Sequence, residues 1–383
     1  MSHSPRVLVS GYYGFGNAGD EAVLAGLVAG LRQRVPEVEL TVLSGDPAAT
    51  EAEHGVAAAP RGLGSVRRLA RQSDLLVSGG GGLLQDATSW RSPLYYLGVL
   101  RLARGAGIPV ACVGHGIGPL RRTLVRSLTR RALSRVDALA VRDRASEEAL
   151  RELGVTRDVE VTADLAFVLP RPTQEEVDRA WGKAGLPASP EPAALIALRA
   201  PVTSGTRRDL SDRLAEAIGS ACERLALRAV FVAMQRPHDA EFAGRVIDAM
   251  SYEADLVAED LSAREMLALA GGCDLVIAMR LHALIFAAIC GVAPVAVSYD
   301  PKVDGLMEQL GLQSATSVER FDPDALAGAV SQTWLARRRT ADSLAARAED
   351  RHRAALRNVE LALRLLPAGG RNGVRENGRP ENS

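Results

Sequence analysis

The stretch DLVIAMRLHALIFAAICGVAPVAVSYDPK, residues 274–302, reads as one repeating unit of an α/β protein. An apolar run ends at Arg280-Leu281-His282, a wholly apolar helical segment continues to Cys290, Gly291 stops it, and a second apolar run follows over 293–298. Strands that are apolar on both faces and joined by a helix belong in a parallel sheet, where helices cover both sides. Arg280 and His282 fall where the helix begins. A helix N-terminus already carries partial positive charge, so cations placed there predict an anion beside them. Lys302 follows the second strand and reaches the same carboxyl edge, where ligands of open parallel sheets collect. The spacing therefore predicts that Arg280, His282 and Lys302 converge on one anion-sized site.

The same rhythm extends outward in both directions. Strands are expected near 6–10, 38–43, 74–78, 109–113 and 136–141, with helices over 20–33, 93–105 and 119–134. Pro170 and Pro172, then Pro187 to Pro192, interrupt it around one amphipathic helix near 173–184, and it restarts at 193–199 and 228–234. The expected organisation is a Rossmann-like domain over 1–170, a linker region over 171–192, a second Rossmann-like domain over 193–322, helices over 323–366 and an unstructured tail over 367–383. The 383 residues are 47% hydrophobic and 4% aromatic, which fits an aliphatic globular core. The fold class is α/β, two Rossmann-like domains facing a cleft.

Basic and acidic residues number 46 each, so no net field draws the chain to nucleic acid. Lysine occurs only at Lys183 and Lys302; the other 44 basic residues are Arg. The four cysteines are far apart with no CxxC spacing, which indicates neither disulfides nor a metal site. No run of apolar residues is long enough for a membrane span, and the N-terminus has no apolar leader. The expected location is cytoplasmic, with peripheral contact at the inner face of the membrane left open, as is the oligomeric state.

Three glycine-rich segments follow strands in the first half. Gly14, Gly16 and Gly19 satisfy the dinucleotide fingerprint, but Asp20 and Glu21 put carboxylates where a pyrophosphate would meet the helix. Tyr13, Asn17 and Asp20 in this segment are candidates for gripping a sugar. The run Gly79–Gly82 lets backbone N–H groups approach an anion, making Gly80 and Gly81 candidates, without the Lys of a P-loop. His115 lies between Gly114 and Gly116 and is either a proton-transfer group or a histidine satisfied by a local carbonyl. Arg142 and Arg144 close the fifth strand.

At these residues the chain resembles the polysaccharide pyruvyl transferase family, and closely its CsaB branch. The resemblance rests on residues 10–22, the Gly79–Gly82 run, Arg142-Asp143-Arg144, and the Arg280-Leu281-His282-Ala283 turn with its downstream Asp300-Pro301-Lys302. It implies a fold like that of the GT-B glycosyltransferases and transfer of pyruvate from phosphoenolpyruvate to a cell-wall polysaccharide or lipid-linked saccharide. The product would be a ketal bridging the 4- and 6-hydroxyls, in the CsaB branch on N-acetylmannosamine, where it anchors S-layer proteins. His282 would carry protons, Arg280, Arg142 and Lys302 would hold the donor's carboxylate and phosphate, and neither cofactor nor metal is implied.

Two other readings stay open on the residues alone. A nucleotide-sugar glycosyltransferase would use the same strand and helix pattern, although residues 283–290 contain no acid to hold a ribose. A non-catalytic sugar-binding protein would have no use for a His, Arg and Lys gathered at a helix start.

Overall fold

The computed structural model describes residues 4–86, 89–187, 191–200 and 207–367. The expected tail from 368 onward, and residues 188–190 of the proline cluster, lie outside them. Two compact units result: Met1–Phe15 with Val23–Val168 and the chain from His352 onward, and Gly16–Ala22 with Leu169–Arg351.

In the first unit the chain forms β1 (Arg6–Tyr13), α1 (Ala18–Arg34, whose opening residues group with the second unit), β2 (Glu39–Ser44), α2 (Pro47–His54), β3 (Ala57–Pro60), α3 (Leu63–Ala70), β4 (Leu75–Leu84), α4 (Arg91–Gly105), β5 (Val110–Ile117), α5 (Thr123–Leu133), β6 (Ala138–Val141), α6 (Arg144–Glu152) and β7 (Glu160–Val161). The strands pair in parallel in the order β3-β2-β1-β4-β5-β6-β7. Val7, Leu8 and Val9 are buried on successive faces, as a sheet covered on both sides requires. Order reverses between β1 and β4, the switch point of a doubly wound sheet.

The second unit repeats this plan: α7 (Gln174–Lys183), β8 (Ala193–Ala197), α8 (Arg207–Leu225), β9 (Arg228–Phe231), α9 (His238–Ala249), β10 (Ala254–Leu256), α10 (Ala263–Gly271), β11 (Leu275–Ala278), α11 (Leu281–Cys290), β12 (Ala293–Ser298), α12 (Pro301–Gln309), β13 (Thr316–Ser317) and α13 (Pro323–Leu363). Its parallel order is β10-β9-β8-β11-β12-β13, with the switch point between β8 and β11. An aliphatic core of Ile196, Leu214, Phe231, Ile277 and Val295 lies against this sheet. α11 ends at Gly291 in the left-handed conformation, φ 70°, which lets the chain turn directly into β12.

Four short strands escape the sequence pattern: Ala57–Pro60, Glu160–Val161, Ala254–Leu256 and Thr316–Ser317. Each is two to four residues at or near a sheet edge, too brief for a periodic signal. The expected linker contains α7, which packs in the second unit through Glu176–Arg264 and Lys183–Glu265 ion pairs at 2.8 and 2.7 Å. That pairing gives Lys183 a structural role. The expected C-terminal helices are a single 41-residue helix, and from His352 its residues serve the first unit. There Asn358, fully buried, accepts from Thr162 Oγ1 at 2.8 Å and donates to the Ala163 carbonyl at 2.9 Å.

The largest departure concerns Gly79–Gly82. The strand does not end before these glycines but runs through them to Leu84, and Gly79, Gly80 and Gly81 are buried in the sheet. Gly80 has φ 46°, and a Cβ there would lie 2.4 Å from Val23 Cγ1. At Gly79 and Gly80 glycine supplies the close approach of helix to strand. Tyr13 belongs to the same packing: it is 1% exposed, and its hydroxyl donates to the Gly79 carbonyl at 2.8 Å. His115 pairs with Gly81 across β4 and β5, is buried, and shares a 3.0 Å hydrogen bond with the Ser78 carbonyl. Burial pushes its imidazole down to about 4; the Ser78 bond opposes this and the nearby Arg142 charge adds to it.

Among the described residues, no helix is long and apolar enough to cross a membrane. The four cysteines are buried and free, and burial raises the Cys112 and Cys222 thiols to about 12.

Two measurements check this packing. Alanine in place of a helical glycine ordinarily stabilises by up to ~1 kcal/mol, but a Cβ at Gly26 would lie 2.0 Å from the Leu165 carbonyl oxygen. Gly26→Ala should instead lower stability by about 1–3 kcal/mol, as overpacking does, and a raised melting temperature would contradict this close approach. His115 is neutral when folded but binds a proton near 6.5 when unfolded. Its stabilisation is present above pH 6.5 and is lost as pH falls towards 4, by on the order of 3 kcal/mol in full. The stability gap between wild type and His115→Gln should therefore narrow between pH 7 and 4.5; parallel curves would exclude this role.

Candidate functional site

The site is assembled at the switch point of the second sheet. β11 delivers Met279 and Arg280, and α11 starts at Leu281, so Arg280 occupies the capping position with no side chain capping the helix and no acid in its first turn. Neighbouring helices differ in this respect. α10 is closed by a reciprocal Ser262–Glu265 box, and α12 by Asp300, whose carboxylate accepts from Lys302 N at 3.1 Å. The start of α11 thus presents its backbone N–H groups without a capping side chain, as does the start of α9 at Pro237.

Arg280 is held by a carboxylate that no local pattern singles out. Its Nε donates to Asp239 Oδ2 at 2.8 Å and its Nη2 to Asp239 Oδ1 at 2.5 Å, a bidentate pair. Nη2 also reaches Gln235 Oε1 at 3.4 Å. Asp239 is 1% exposed and takes a further bond from Gln235 N at 2.9 Å. Asp239 occupies the Nε–Nη2 edge of the guanidinium, so the residue is fixed in place before any ligand arrives. Asp239 lies in the polar run Gln235-Arg236-Pro237-His238-Asp239 after β9, a run that does not say which of its residues is buried or paired.

His282, half-buried in the first turn of α11, meets the segment Gly16–Ala22. A Cβ at Gly19 would lie 2.1 Å from His282 Nδ1, so only glycine leaves room for the imidazole. This segment is docked on the end of β9: Asn17 bridges Gln235, Ala18 N donates to the Met234 carbonyl at 2.9 Å, and Asn17 Oδ1 accepts from Gly19 N at 3.1 Å. Asn17 and Asp20 are half-buried here, within the same unit as His282.

Beyond β12, Tyr299 lies half-buried against the core with two cations on its ring. Arg199 Cζ is 4.4 Å and Lys302 Nζ 5.1 Å from the ring centroid. Lys302 Nζ also sits 3.5 Å from Asp300 Oδ2. Burial alone would raise the Tyr299 phenol, but Lys302, Arg199 and, more weakly, Arg280 outweigh it and hold it below its ordinary value. The same field shows that these three cations occupy one neighbourhood. Neither Arg199 nor Tyr299 stands out in the sequence.

The first unit holds the remaining candidates, and their surroundings account for them locally. Arg142 is 8% exposed, with Nη1 3.0 Å from Asp164 Oδ2 and Nε 3.4 Å from Asp143 Oδ2. Two carboxylates match its charge, making it part of a buried ion pair. Asp143 also caps α6 by accepting from Ser146 N at 2.7 Å. Gly80, Gly81 and Tyr13 are interior packing, as described above.

The comparisons with known proteins agree with this architecture. The chain is 23% identical over 368 residues, 82% of its own length and 88% of the relative's, to the amylovoran biosynthesis protein AmsJ of Erwinia amylovora. It superposes on the UDP-bound MnaA of S. aureus with a TM-score of 0.63 at 12% identity, covering 94% of this chain and 98% of that one. The UDP-GlcNAc 2-epimerase of Neisseria meningitidis, bound to UDP-GlcNAc, gives a TM-score of 0.62 at 11% identity, with 94% and 100% covered. Identities this low speak for the fold alone, which is GT-B-like. The family model for polysaccharide pyruvyl transferases matches residues 17–301, from Asn17 through the Arg280-Leu281-His282 turn to Pro301, and the chain belongs to that family.

Proposed function

We propose that this chain transfers pyruvate from phosphoenolpyruvate to two hydroxyls of a polysaccharide sugar, forming a ketal and releasing phosphate. The observation that carries this reading is the gathering of His282, Arg280, Arg199 and Lys302 at the switch point of one sheet, beside an uncapped helix start. Phosphoenolpyruvate bears a carboxylate and a phosphate within one small molecule. A helix N-terminus and cations fixed in advance stabilise such a charge without reorganising.

The reaction adds one proton to the methylene carbon, forms two carbon–oxygen bonds to C2 and breaks the bond from C2 to the phosphate oxygen. Two hydroxyl protons leave the sugar; one ends on the new methyl group and one on phosphate. His282 is the proton carrier at the methylene carbon, since imidazole both donates and accepts near neutrality. Lys302 neutralises one end of the donor. Arg280, already clasped by Asp239, supplies fixed positive charge. Asn17 and Asp20 are the side chains we assign to the acceptor.

A polysaccharide acceptor is supported by the family and by the relative from amylovoran biosynthesis. The CsaB-like residues 10–22 favour N-acetylmannosamine of a cell-wall polymer as that acceptor, with the 4,6-ketal serving S-layer attachment.

Phosphate release from phosphoenolpyruvate, measured with and without an N-acetylmannosamine-containing acceptor and against a panel of nucleotide sugars, tests the reading. Acceptor-dependent phosphate release is expected; turnover of a nucleotide sugar instead would replace it with glycosyl transfer. His282→Gln should slow turnover about 100-fold or more, the contribution of one proton-transfer group, with an unchanged melting temperature. Lys302→Ala should chiefly raise KM for phosphoenolpyruvate, by about 10-fold for a lost charge-assisted contact, and an unchanged KM would remove Lys302 from the donor site.

A further inference from the structure

Ketal formation poses a proton problem that one histidine does not solve comfortably. Two sugar hydroxyls must each lose a proton, on different steps, while the methylene carbon gains one in the same step that the first hydroxyl loses one. A group giving a proton to carbon cannot at that moment take one from oxygen. A second proton-transfer group is required, and the described residues around the switch point offer one.

We infer that Tyr299 is that group, acting as a phenolate base towards the attacking sugar hydroxyl; the inference rests on the phosphoenolpyruvate reading above. Tyr299 stands where β12 ends, on the carboxyl edge that also presents Arg280 and His282. Its ring is fixed by packing against the second core and by the two cations upon it, Arg199 at 4.4 Å and Lys302 at 5.1 Å. The Lys302 ammonium, 5.1 Å from the ring centroid, is the cation that acts most strongly on the phenol. The groups facing it are cationic from three elements: Arg199 after β8, Arg280 after β11 and Lys302 in α12. The Asp300 carboxylate sits on Lys302 at 3.5 Å. Positive surroundings favour the phenolate over the phenol, in keeping with a phenol held below its ordinary value.

The two groups together close the proton balance. In the first step the phenolate of Tyr299 takes the proton of one hydroxyl as its oxygen bonds to C2, and the imidazolium of His282 gives its proton to the methylene carbon. In the second step the bond from C2 to the phosphate oxygen breaks and the Tyr299 phenol protonates the departing phosphate. The second hydroxyl bonds to C2 and passes its proton to His282. Both residues return to their starting forms, and no oxidant, reductant or further reactant is consumed.

Tyr299→Phe keeps the ring and its cation contacts while removing the oxygen. Turnover should slow about 100-fold or more while KM for phosphoenolpyruvate stays within about twofold, the size and signature of a lost general base. The acid limb of the turnover profile, set by phenol ionisation, should disappear. Turnover near the wild-type rate would overturn the inference. So would a raised KM with turnover intact, which would leave Tyr299 as a prop for Lys302. A separate arm reads the phenol directly: an ultraviolet difference titration of wild type against Tyr299→Phe should show one tyrosine ionising below its ordinary range near 10. A titration at or above that range would refute the phenolate whatever the substrate. If wild type releases no phosphate from phosphoenolpyruvate, the donor assignment falls and the role of Tyr299 in that transfer falls with it, whereas failure of Tyr299→Phe alone to slow an active wild type leaves the donor assignment standing.

Discussion

The bidentate pair between Arg280 and Asp239 is the contact on which the site in the second unit depends. It joins the end of β11 to the start of α9, and it does so with a carboxylate that is 1% exposed. A buried carboxylate is tolerable only when its charge is met and its oxygens are hydrogen-bonded; Arg280 and the Gln235 amide satisfy both conditions. Gln235 is in turn the residue that Asn17 bridges, so the segment bearing Gly19 is registered against the same structure that fixes Arg280. One ion pair therefore sets the position of a guanidinium, the path of the Gly16–Ala22 segment, and through Gly19 the space left for His282. Breaking such a pair leaves an unmatched buried charge, which is why its members have little freedom to change.

From this follows a division of labour among the positive groups. Arg280 is rigid because its fork is engaged, and a rigid cation stabilises charge without reorganising around it. Lys302 is a compact ammonium on a flexible stem, half-buried, with Asp300 near and the Tyr299 ring beneath it. In a chain with 44 arginines, a lysine at this position is a chemical choice as much as a charge. An ammonium concentrates its charge on one nitrogen, whereas a guanidinium spreads it over a plane. The other lysine, Lys183, forms an ion pair with Glu265 between α7 and α10, work that an arginine does next to it, where Arg264 pairs with Glu176.

The βαβ rhythm, the two parallel sheets and the Arg280-Leu281-His282 turn were legible because each depends on local pattern: apolar runs, a helix without acids, and a stop glycine. What could not be read was any property set by contacts distant in the chain. Arg280 and Asp239 lie 41 residues apart, and nothing local marks Asp239 as a partner. Gly79–Gly82 looked like a phosphate-binding loop because glycine permits close approach by any neighbour; here the neighbours are Val23 and Leu27 of α1 and the Tyr13 hydroxyl. Arg142 carried the right charge, but Asp164, 22 residues on, had already matched it. His115 is buried between two glycines in a strand, where its low affinity for protons suits a neutral core group rather than a shuttle.

Both units have a switch point, but their chemistry differs. In the first, the residues at the crossing of β1 and β4 are turned inward: Tyr13 onto Gly79, glycines against α1, and His115 onto Ser78. In the second, Arg199 follows β8 and Arg280 follows β11 at the corresponding crossing, and the helix that starts there has neither an acid in its first turn nor a capping side chain. The neutral total of 46 basic and 46 acidic residues conceals this local asymmetry. Each doubly wound sheet supplies one such crossing, so the two units have two. The two crossings differ in the charged groups beside them. Arg142 is paired with Asp143 and Asp164, whereas Arg280 is paired with Asp239, Lys302 with Asp300, and Arg199 lies on the Tyr299 ring.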